Sequence, residues 1–335
     1  MITSELEISM CRSGGISKYP IVIVVPYYED SAAIKCLFQE LSTQFNHDIF
    51  VLAVDDGSLR EPLSEDLLEN AGITGGIIRL SRNLGHQGAI ATALTFVAEK
   101  LESDQLLVIM DSDGEDLPST IPRLIERLGS PDVDIAVARR KNRIESVWFK
   151  LFYRLYKFLF SVLTGREIFF GNFMALKSNA VKKLVLAPEL FLHIAATVIS
   201  SKSRLGVCEI DRGRRYAGQS KMNFTGLVVH GFRAIMVFAE DVLVRVAVGC
   251  ALLSIGTASG MVLATILKIF GFATPGWFSV AIGLLFLVLL QTIVITIVAL
   301  MLLILVGIVR GDLNSRMHAK IELIESVSRT LLRRL

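Results

Sequence analysis

The stretch VIMDSDGEDLPS, residues 108–119, runs from the apolar Val108, Ile109 and Met110 straight into Asp111, Asp113, Glu115 and Asp116, with only Ser112 and Gly114 between them. A short apolar run without polar alternation reads as a strand covered on both faces. Carboxylates at the end of such a strand are costly to bury unless something positive compensates them. An Asp-x-Asp spacing turns two carboxylates around one point. Such hard oxygen donors suit Mg²⁺ or Mn²⁺, which leave coordination positions for phosphate oxygens. The plainer alternative is a solvated loop in which Asp116 or Ser119 caps a helix running to Leu128.

The neighbouring segments repeat the same grammar. Tyr19–Pro26 (YPIVIVVP), Asp48–Val54, Gly76–Leu80, Gln105–Met110 and Val133–Ala138 read as strands. Ser31–Phe45 reads as a helix, as does the run after SRNLGHQGA through Ala98. Strands alternating with helices imply right-handed βαβ units and a mostly parallel α/β sheet. The polar signals fall at one end of successive strands: PYYED, then DDGS, then SRN, then DSD. Ligands of open α/β sheets bind at the carboxyl ends of the strands. Neither GxGxxG after the first strand nor GxxxxGK[ST] is present, which argues against a dinucleotide dehydrogenase and a P-loop NTPase.

The 335 residues carry a net charge of only +3, which gives no argument for a nucleic-acid partner, and 52% are hydrophobic. That excess is concentrated: Val246–Leu267 and Trp277–Val309 hold no Asp, Glu, Lys or Arg. Each is long enough to span a bilayer, and the short link KIFGFATPGW between them implies a helical hairpin. Two buried core helices of a soluble domain are the alternative. Arg310, Arg316, Lys320, Arg329, Arg333 and Arg334 follow the second span, against Lys268 at the tip. The positive-inside rule therefore places the N-terminal domain and the tail in the cytoplasm. Cys11, Cys36, Cys208 and Cys250 lie far apart, without metal or redox spacing, and the N-terminus lacks a signal-peptide run. The expected organisation is a catalytic domain over 1–223, a juxtamembrane helix over 224–241, two spans within 242–310 and a basic tail over 311–335.

These motifs, with GNFMALKSNAV and RRYAGQSK, resemble the family 2 glycosyltransferases of GT-A fold, and within them the polyisoprenyl-phosphate glycosyltransferases. The resemblance covers nearly the whole chain. It implies that Pro26, Tyr28 and Asp30 form the first nucleotide-binding loop, with Glu29 where Asn is usual. It also implies that Asp55 and Asp56 contact base and ribose, that Arg82 joins them, and that Asp111 and Asp113 are the Asp-x-Asp. Glu115 stands where a metal-approaching Gln is common, so the metal set becomes Asp111, Asp113 and Glu115, for Mg²⁺ or Mn²⁺. Arg215, Gly218, Ser220 and Lys221 match a segment that closes over the diphosphate. Asn172 stands where many bacterial relatives have Asp.

Glu145–Thr164 reads as a helix with Trp148, Leu151, Phe152, Leu155, Leu159 and Val162 on one face and Lys150, Arg154 and Lys157 on the other. That pattern suits a helix lying in a membrane interface. Arg139, Lys150 and Arg154 are then candidates for the acceptor phosphate. The expected reaction is inverting, metal-dependent transfer of one sugar from a nucleotide-sugar, UDP- before GDP-, to a polyprenyl phosphate. It would occur at the cytoplasmic face of a membrane, the bacterial inner membrane by resemblance. The partners implied are the nucleotide-sugar, the polyprenyl phosphate and membrane lipids, with a homo-oligomer allowed. Another lipid or polysaccharide acceptor, or a non-catalytic membrane scaffold, are the alternatives.

Overall fold

A computed structural model describes residues 6–11, 15–45, 48–140, 147–216 and 224–332. The chain divides into two compact units, Met1–Arg154 with Ile168–Val237, and Leu155–Glu167 with Phe238–Leu335.

The first unit is built on one eight-stranded sheet. Its strands are β1 (Leu6–Cys11), β2 (Ile21–Tyr27), β3 (Ile49–Asp55), β4 (Gly75–Leu80), β5 (Leu106–Ile109), β6 (Ile135–Arg140), β7 (Met174–Lys177) and β8 (Leu205–Ile210). They lie in the order β1-β4-β3-β2-β5-β7-β6-β8. β4, β3, β2 and β5 are parallel neighbours, as are β6 and β8. β7 runs antiparallel to both β5 and β6, and β1 antiparallel to β4. Side chains of a strand alternate between faces. Val22 and Val24 of β2 therefore enter one buried cluster, and Ile23 and Val25 the other. The helices that cover the sheet are α1 (Ser31–Phe45), α2 (Glu65–Asn70), α3 (His86–Ala98), α4 (Ile121–Leu128), α6 (Ser178–Leu184) and α7 (Ile194–Ser200). α1 and α4 supply one cluster, α3, α6 and α7 the other.

Between β6 and β7 the chain forms α5 (Val147–Thr164), and after β8 it forms α8 (Phe224–Met236). Leu155, Leu159 and Val162, on the expected apolar face of α5, are exposed at 55%, 45% and 52%. Trp148, Leu151 and Phe152 have side chains outside the described residues.

The second unit is dominated by α9 (Ala239–Ile269) and α10 (Trp277–Leu332). Within Ala239–Ile269 and Trp277–Gly307, with mean hydropathies of 1.9 and 2.9, the apolar 18-residue stretches are only 6% and 11% buried. The helices are long and apolar enough to cross a membrane, and so little burial is unlike the core helices of a soluble domain. Along their contact, Ser254 and Thr292 hydroxyls meet at 2.7 Å. The single helix expected over Phe224–Asp241 is broken at Val237–Phe238. Phe238 is 4% exposed and lies edge-on to Phe160, which fixes a turn there. Glu240 and Asp241 then occupy the first turn of α9, where the helix dipole favours negative charge.

Candidate active site

The carboxyl ends of β2, β3, β4 and β5 lie side by side, and their loops are tied to one another by backbone amides. Asp55 is fully buried; its Oδ1 accepts from Ser58 N at 2.9 Å and its Oδ2 from Leu63 N at 2.9 Å. Asp56 Oδ1 accepts from Leu84 N at 2.7 Å, so the DDGS turn grips the SRNLG loop. Gly57 has φ +72, and a Cβ there would sit 2.8 Å from the Arg82 carbonyl carbon. Only glycine permits that approach.

The acidic turn after β5 has its own internal order. Asp111 N donates to Asp116 Oδ2 at 3.0 Å, and Glu115 N to Asp113 Oδ1 at 3.0 Å. Three arginines converge on it. Arg140, at the end of β6, places Nη2 2.9 Å from Asp116 Oδ1 and Nη1 3.3 Å from Glu115 Oε2. Arg215 places Nε 2.9 Å from Glu115 Oε1 and Nη2 2.8 Å from Asp113 Oδ2. Arg212 Nη2 also pairs with Glu115 Oε1. The loop carrying Arg212 and Arg215 is docked by its backbone as well: Gly213 N donates to Glu115 O at 2.9 Å and Tyr216 N to Asp113 O at 3.0 Å.

Electrostatics within the turn differ from one carboxyl to the next. Burial, with the nearby Asp111 charge, pushes Asp116 up to about 7 although Arg140 opposes it. Burial also raises Asp113, with the neighbouring carboxylates adding to it. For Glu115 burial acts upward, but Arg212 and Arg215 prevail and hold it below the usual range.

His86, at the start of α3, closes the other side. Its Nε2 lies 3.2 Å from Asp111 Oδ1 and 2.9 Å from Asn172 Nδ2. Gln87 Nε2 donates to Asn172 Oδ1 at 3.3 Å, while Gln87 Oε1 accepts from Ile194 N at 2.7 Å. The Ile194 amide thereby orients Gln87, and Gln87 in turn orients Asn172 with its NH₂ toward His86. His86 Nε2 is thus shared between the Asn172 amide and the Asp111 carboxylate, and Asp111 Oδ1 is shielded from solvent without an aligned hydrogen-bond donor among the described residues.

An orphaned carboxylate oxygen beside a second carboxylate fits a divalent cation that draws its remaining ligands from water and phosphate. Asp111 supplies the orphaned oxygen and Asp113 the second carboxylate, which one backbone amide and one guanidinium edge already meet. Glu115 does not fit, because guanidiniums occupy both its oxygens, and among the described residues no three His, Cys, Asp or Glu side chains converge on one point.

The family described as "Glycosyl transferase family 2" matches residues 22–184, from β2 through α6. These residues form a glycosyl transferase family 2 domain. Among its relatives, a prophage bactoprenol glucosyl transferase homolog of Escherichia coli (strain K12) is 22% identical over 281 residues, covering 80% of this chain and 88% of that one. An undecaprenyl-phosphate 4-deoxy-4-formamido-L-arabinose transferase of Enterobacter sp. (strain 638) is 26% identical over 221 residues, 63% of this chain and 64% of its own length. A dodecaprenyl-phosphate galacturonate synthase of Rhizobium johnstonii is 23% identical, over 62% of each. The chain thus spans under two thirds of the latter two. In three dimensions it is similar to glucosyl-3-phosphoglycerate synthase from Mycobacterium tuberculosis in complex with phosphoglyceric acid, with a TM-score of 0.50 and 16% identity over 67% of this chain and 80% of that one. That likeness is one of fold, and it agrees with the GT-A sheet.

This glycosyltransferase brings Asp111, Asp113, Glu115, Asn172 and Arg215 into one neighbourhood, and adds three residues that motif reading passed over: His86, Arg140 and Arg212. Arg140 was within reach of strand alternation, which sends Arg139 and Arg140 to opposite faces. Arg139 is exposed and Arg140 meets the carboxylates, so the pair stands inside β6 rather than beyond it. Asp55, expected on the nucleotide, instead caps a loop with both oxygens. Asp56 is 3% exposed and serves the next loop. Pro26 is buried within β2, Tyr28 is 44% exposed, and Arg82 and Arg154 are exposed. Asp30 Oδ1 accepts from Ala33 N at 3.3 Å and starts α1. Asp116, offered as a helix cap, is engaged by Arg140 and Asp111 N instead, and α4 follows a 3-10 turn over Pro118–Thr120. Lys221 lies outside the described residues, as does the side chain of Lys150.

Proposed function

We propose that this glycosyltransferase moves one sugar, with inversion, from a nucleoside-diphosphate sugar to a polyprenyl phosphate at the cytoplasmic face of a membrane. The observation that carries this reading is the convergence of Arg140, Arg212 and Arg215, through Asp113, Glu115 and Asp116, on the acidic turn that also holds Asp111. Carboxylates there serve a cation, and guanidiniums serve a departing diphosphate. The two apolar helices and the named substrates of the curated relatives support a lipid-linked acceptor.

Mg²⁺ or Mn²⁺ held by Asp111 and Asp113 would neutralise diphosphate charge. Tyr28 and Arg82, exposed on their loops, face the nucleoside, while Asp55 and Asp56 shape those loops from beneath. Arg215 and Lys221 add positive charge where the leaving group forms. Arg139, Lys150 and Arg154 hold the acceptor phosphate. Asn172 takes no proton. A phosphomonoester has a second pKa of about 6, so its oxygen is already largely ionised and needs no strong base. Asn172→Ala is expected to keep the rate within about tenfold, because general-base help is not required; complete loss in a folded variant would contradict this.

The test is incubation of detergent-purified protein with Mn²⁺ or Mg²⁺, polyprenyl phosphate and a panel of UDP- and GDP-sugars, read by mass spectrometry of the lipid. A gain of one sugar on the lipid phosphate is expected. Transfer only to another lipid or glycan would overturn the acceptor. No transfer by a folded protein that still binds nucleotide would favour a scaffold.

A further inference from the structure

We infer that Glu115 is a positioning residue that anchors the arginine-bearing loop after β8 over the acidic turn, and is not a metal ligand. The inference rests on the proposed donor chemistry for its purpose and on geometry alone for its substance.

Three guanidiniums from two separate parts of the chain share one carboxylate. Glu115 Oε1 receives Arg215 Nε at 2.9 Å and Arg212 Nη2, and Oε2 receives Arg140 Nη1 at 3.3 Å. A carboxylate offers about four lone-pair directions, and these contacts use most of them. A divalent cation at Glu115 would also sit directly beside three positive groups. Asp111 presents the opposite picture: among the described residues no guanidinium reaches its Oδ1, which faces the His86 ring at 3.2 Å without an aligned hydrogen bond.

The contacts also set a direction. Glu115 takes the Nε edge of Arg215, and the Nη2 of the same guanidinium points on to Asp113. The planar fork of arginine is rigid, so fixing one edge aims the other. Arg215 is thereby held with its outer edge on the carboxylate that faces a bound cation, where a diphosphate would lie. The backbone reinforces the arrangement: Gly213 N bonds the carbonyl of Glu115 itself. Glutamine, the commoner residue in the resembling family, would serve poorly here. It offers one acceptor oxygen, and its NH₂ would meet guanidinium donors with another donor.

The balance of charge is consistent with an anchor. Arg140, Arg212 and Arg215 face Asp113, Glu115 and Asp116, three guanidiniums on three carboxyls, which leaves Asp111 as the one carboxyl of the turn that no arginine among the described residues pairs.

The experiment compares wild type with Glu115→Gln in three measurements on the full chain in detergent. Trypsin sensitivity without ligand reports whether Arg212, Arg214 and Arg215 are released. Mn²⁺ affinity by electron paramagnetic resonance reports the metal site. UDP and GDP affinity at saturating Mn²⁺ reports the diphosphate site. The expected result is tenfold or faster cleavage at the loop arginines, Mn²⁺ affinity within twofold of wild type, and nucleotide affinity at least tenfold weaker. A tenfold loss of Mn²⁺ affinity, or an unchanged cleavage rate, overturns the inference. Wild type that binds neither Mn²⁺ nor nucleotide sinks the donor reading, while the cleavage rates still decide the anchor. Should Glu115→Gln fail to fold, Arg212→Gln frees the same loop while leaving every carboxylate in place, and faster cleavage with unchanged Mn²⁺ affinity is again required.

Discussion

Glu29 shows how one residue carries two loops. It has φ 48, a left-handed conformation that Asn tolerates better than Glu, which accords with the Asn usual at this position in the resembling family. In exchange its carboxylate accepts from the amides of Leu59 and Arg60 on one oxygen and of Glu61 on the other, at 2.7, 3.0 and 3.0 Å. Glu61 answers by accepting from Ser31 N and Oγ. Glu29→Ala is expected to lower the thermal midpoint of the detergent-purified protein by several degrees, and Glu29→Asn by less, since Asn relieves the backbone while keeping one acceptor. His193 illustrates a different cost. It is 6% exposed, its Nδ1 accepts from Ala196 N, and its ring lies 4.3 Å from that of His230. Burial, then the His230 charge, pushes it down to about 3. The folded protein therefore keeps this ring neutral at pH values where the unfolded chain has protonated it. Between pH ~6.5, the unfolded value, and about 3, the unfolded state binds the extra proton, so stability falls as pH falls, with a limiting slope of about 1.4 kcal/mol per unit. His193→Asn keeps a good helix cap and removes the proton. Its urea midpoint should vary less than wild type between pH 6.5 and 4.5; an equal slope would assign the acid loss elsewhere.

Between elements, the decisive contact is the docking of residues 211–216 on the acidic turn. Gly114 has φ +87, and a Cβ there would lie 2.7 Å from the Tyr216 ring. Gly114→Ala meets both backbone strain, about 1–3 kcal/mol for such a conformation, and the ring. Removing the ring in Gly114→Ala/Tyr216→Ala should recover part of the loss, so the double-mutant cycle for unfolding is expected to be non-additive. Additive effects would mean that the strain alone matters. Nothing in the spelling of DSDGED announces this contact, because its partner lies about a hundred residues away. The same reasoning explains which elements the sequence discloses. β2, β3, β4 and β5 are apolar on both faces and stand out at once. β1 and β8 are the outermost strands, and β8 mixes Gly206, Cys208 and Glu209 into its run, so their identity depends on pairing rather than on pattern. β7 is four residues long and enters α6 directly, which hides it inside a motif. The carboxylates of the site are legible because they follow strands. Strand alternation gives Arg140 a face of β6 but not its partner, and Arg212 has no such signal, because only the antiparallel insertion of β7 between β5 and β6, and the return of the loop after β8, bring them to Glu115.

For the whole molecule, orientation is a matter of charge asymmetry about two apolar helices. Lys268 alone marks the link between them, while Arg310, Arg316, Lys320, Arg329, Arg333 and Arg334 follow the second. Membrane insertion retains positive flanks on the cytoplasmic side. The proposed hairpin would return the chain to the side it left and leave the link 270–276 on the far side, with the family 2 domain on the cytoplasmic side as proposed. Cys36 is exposed on α1, and Thr274 is exposed on the link. In a chain whose other native cysteines are serine, Cys36 should resist a membrane-impermeant maleimide in intact bacterial spheroplasts and react after permeabilisation. With Cys36 also replaced, Thr274→Cys should react in intact spheroplasts. The opposite pattern would place the site on the outer face, away from cytoplasmic nucleotide-sugars. Labelling of both positions in intact spheroplasts would show that the two helices do not cross the bilayer as a hairpin.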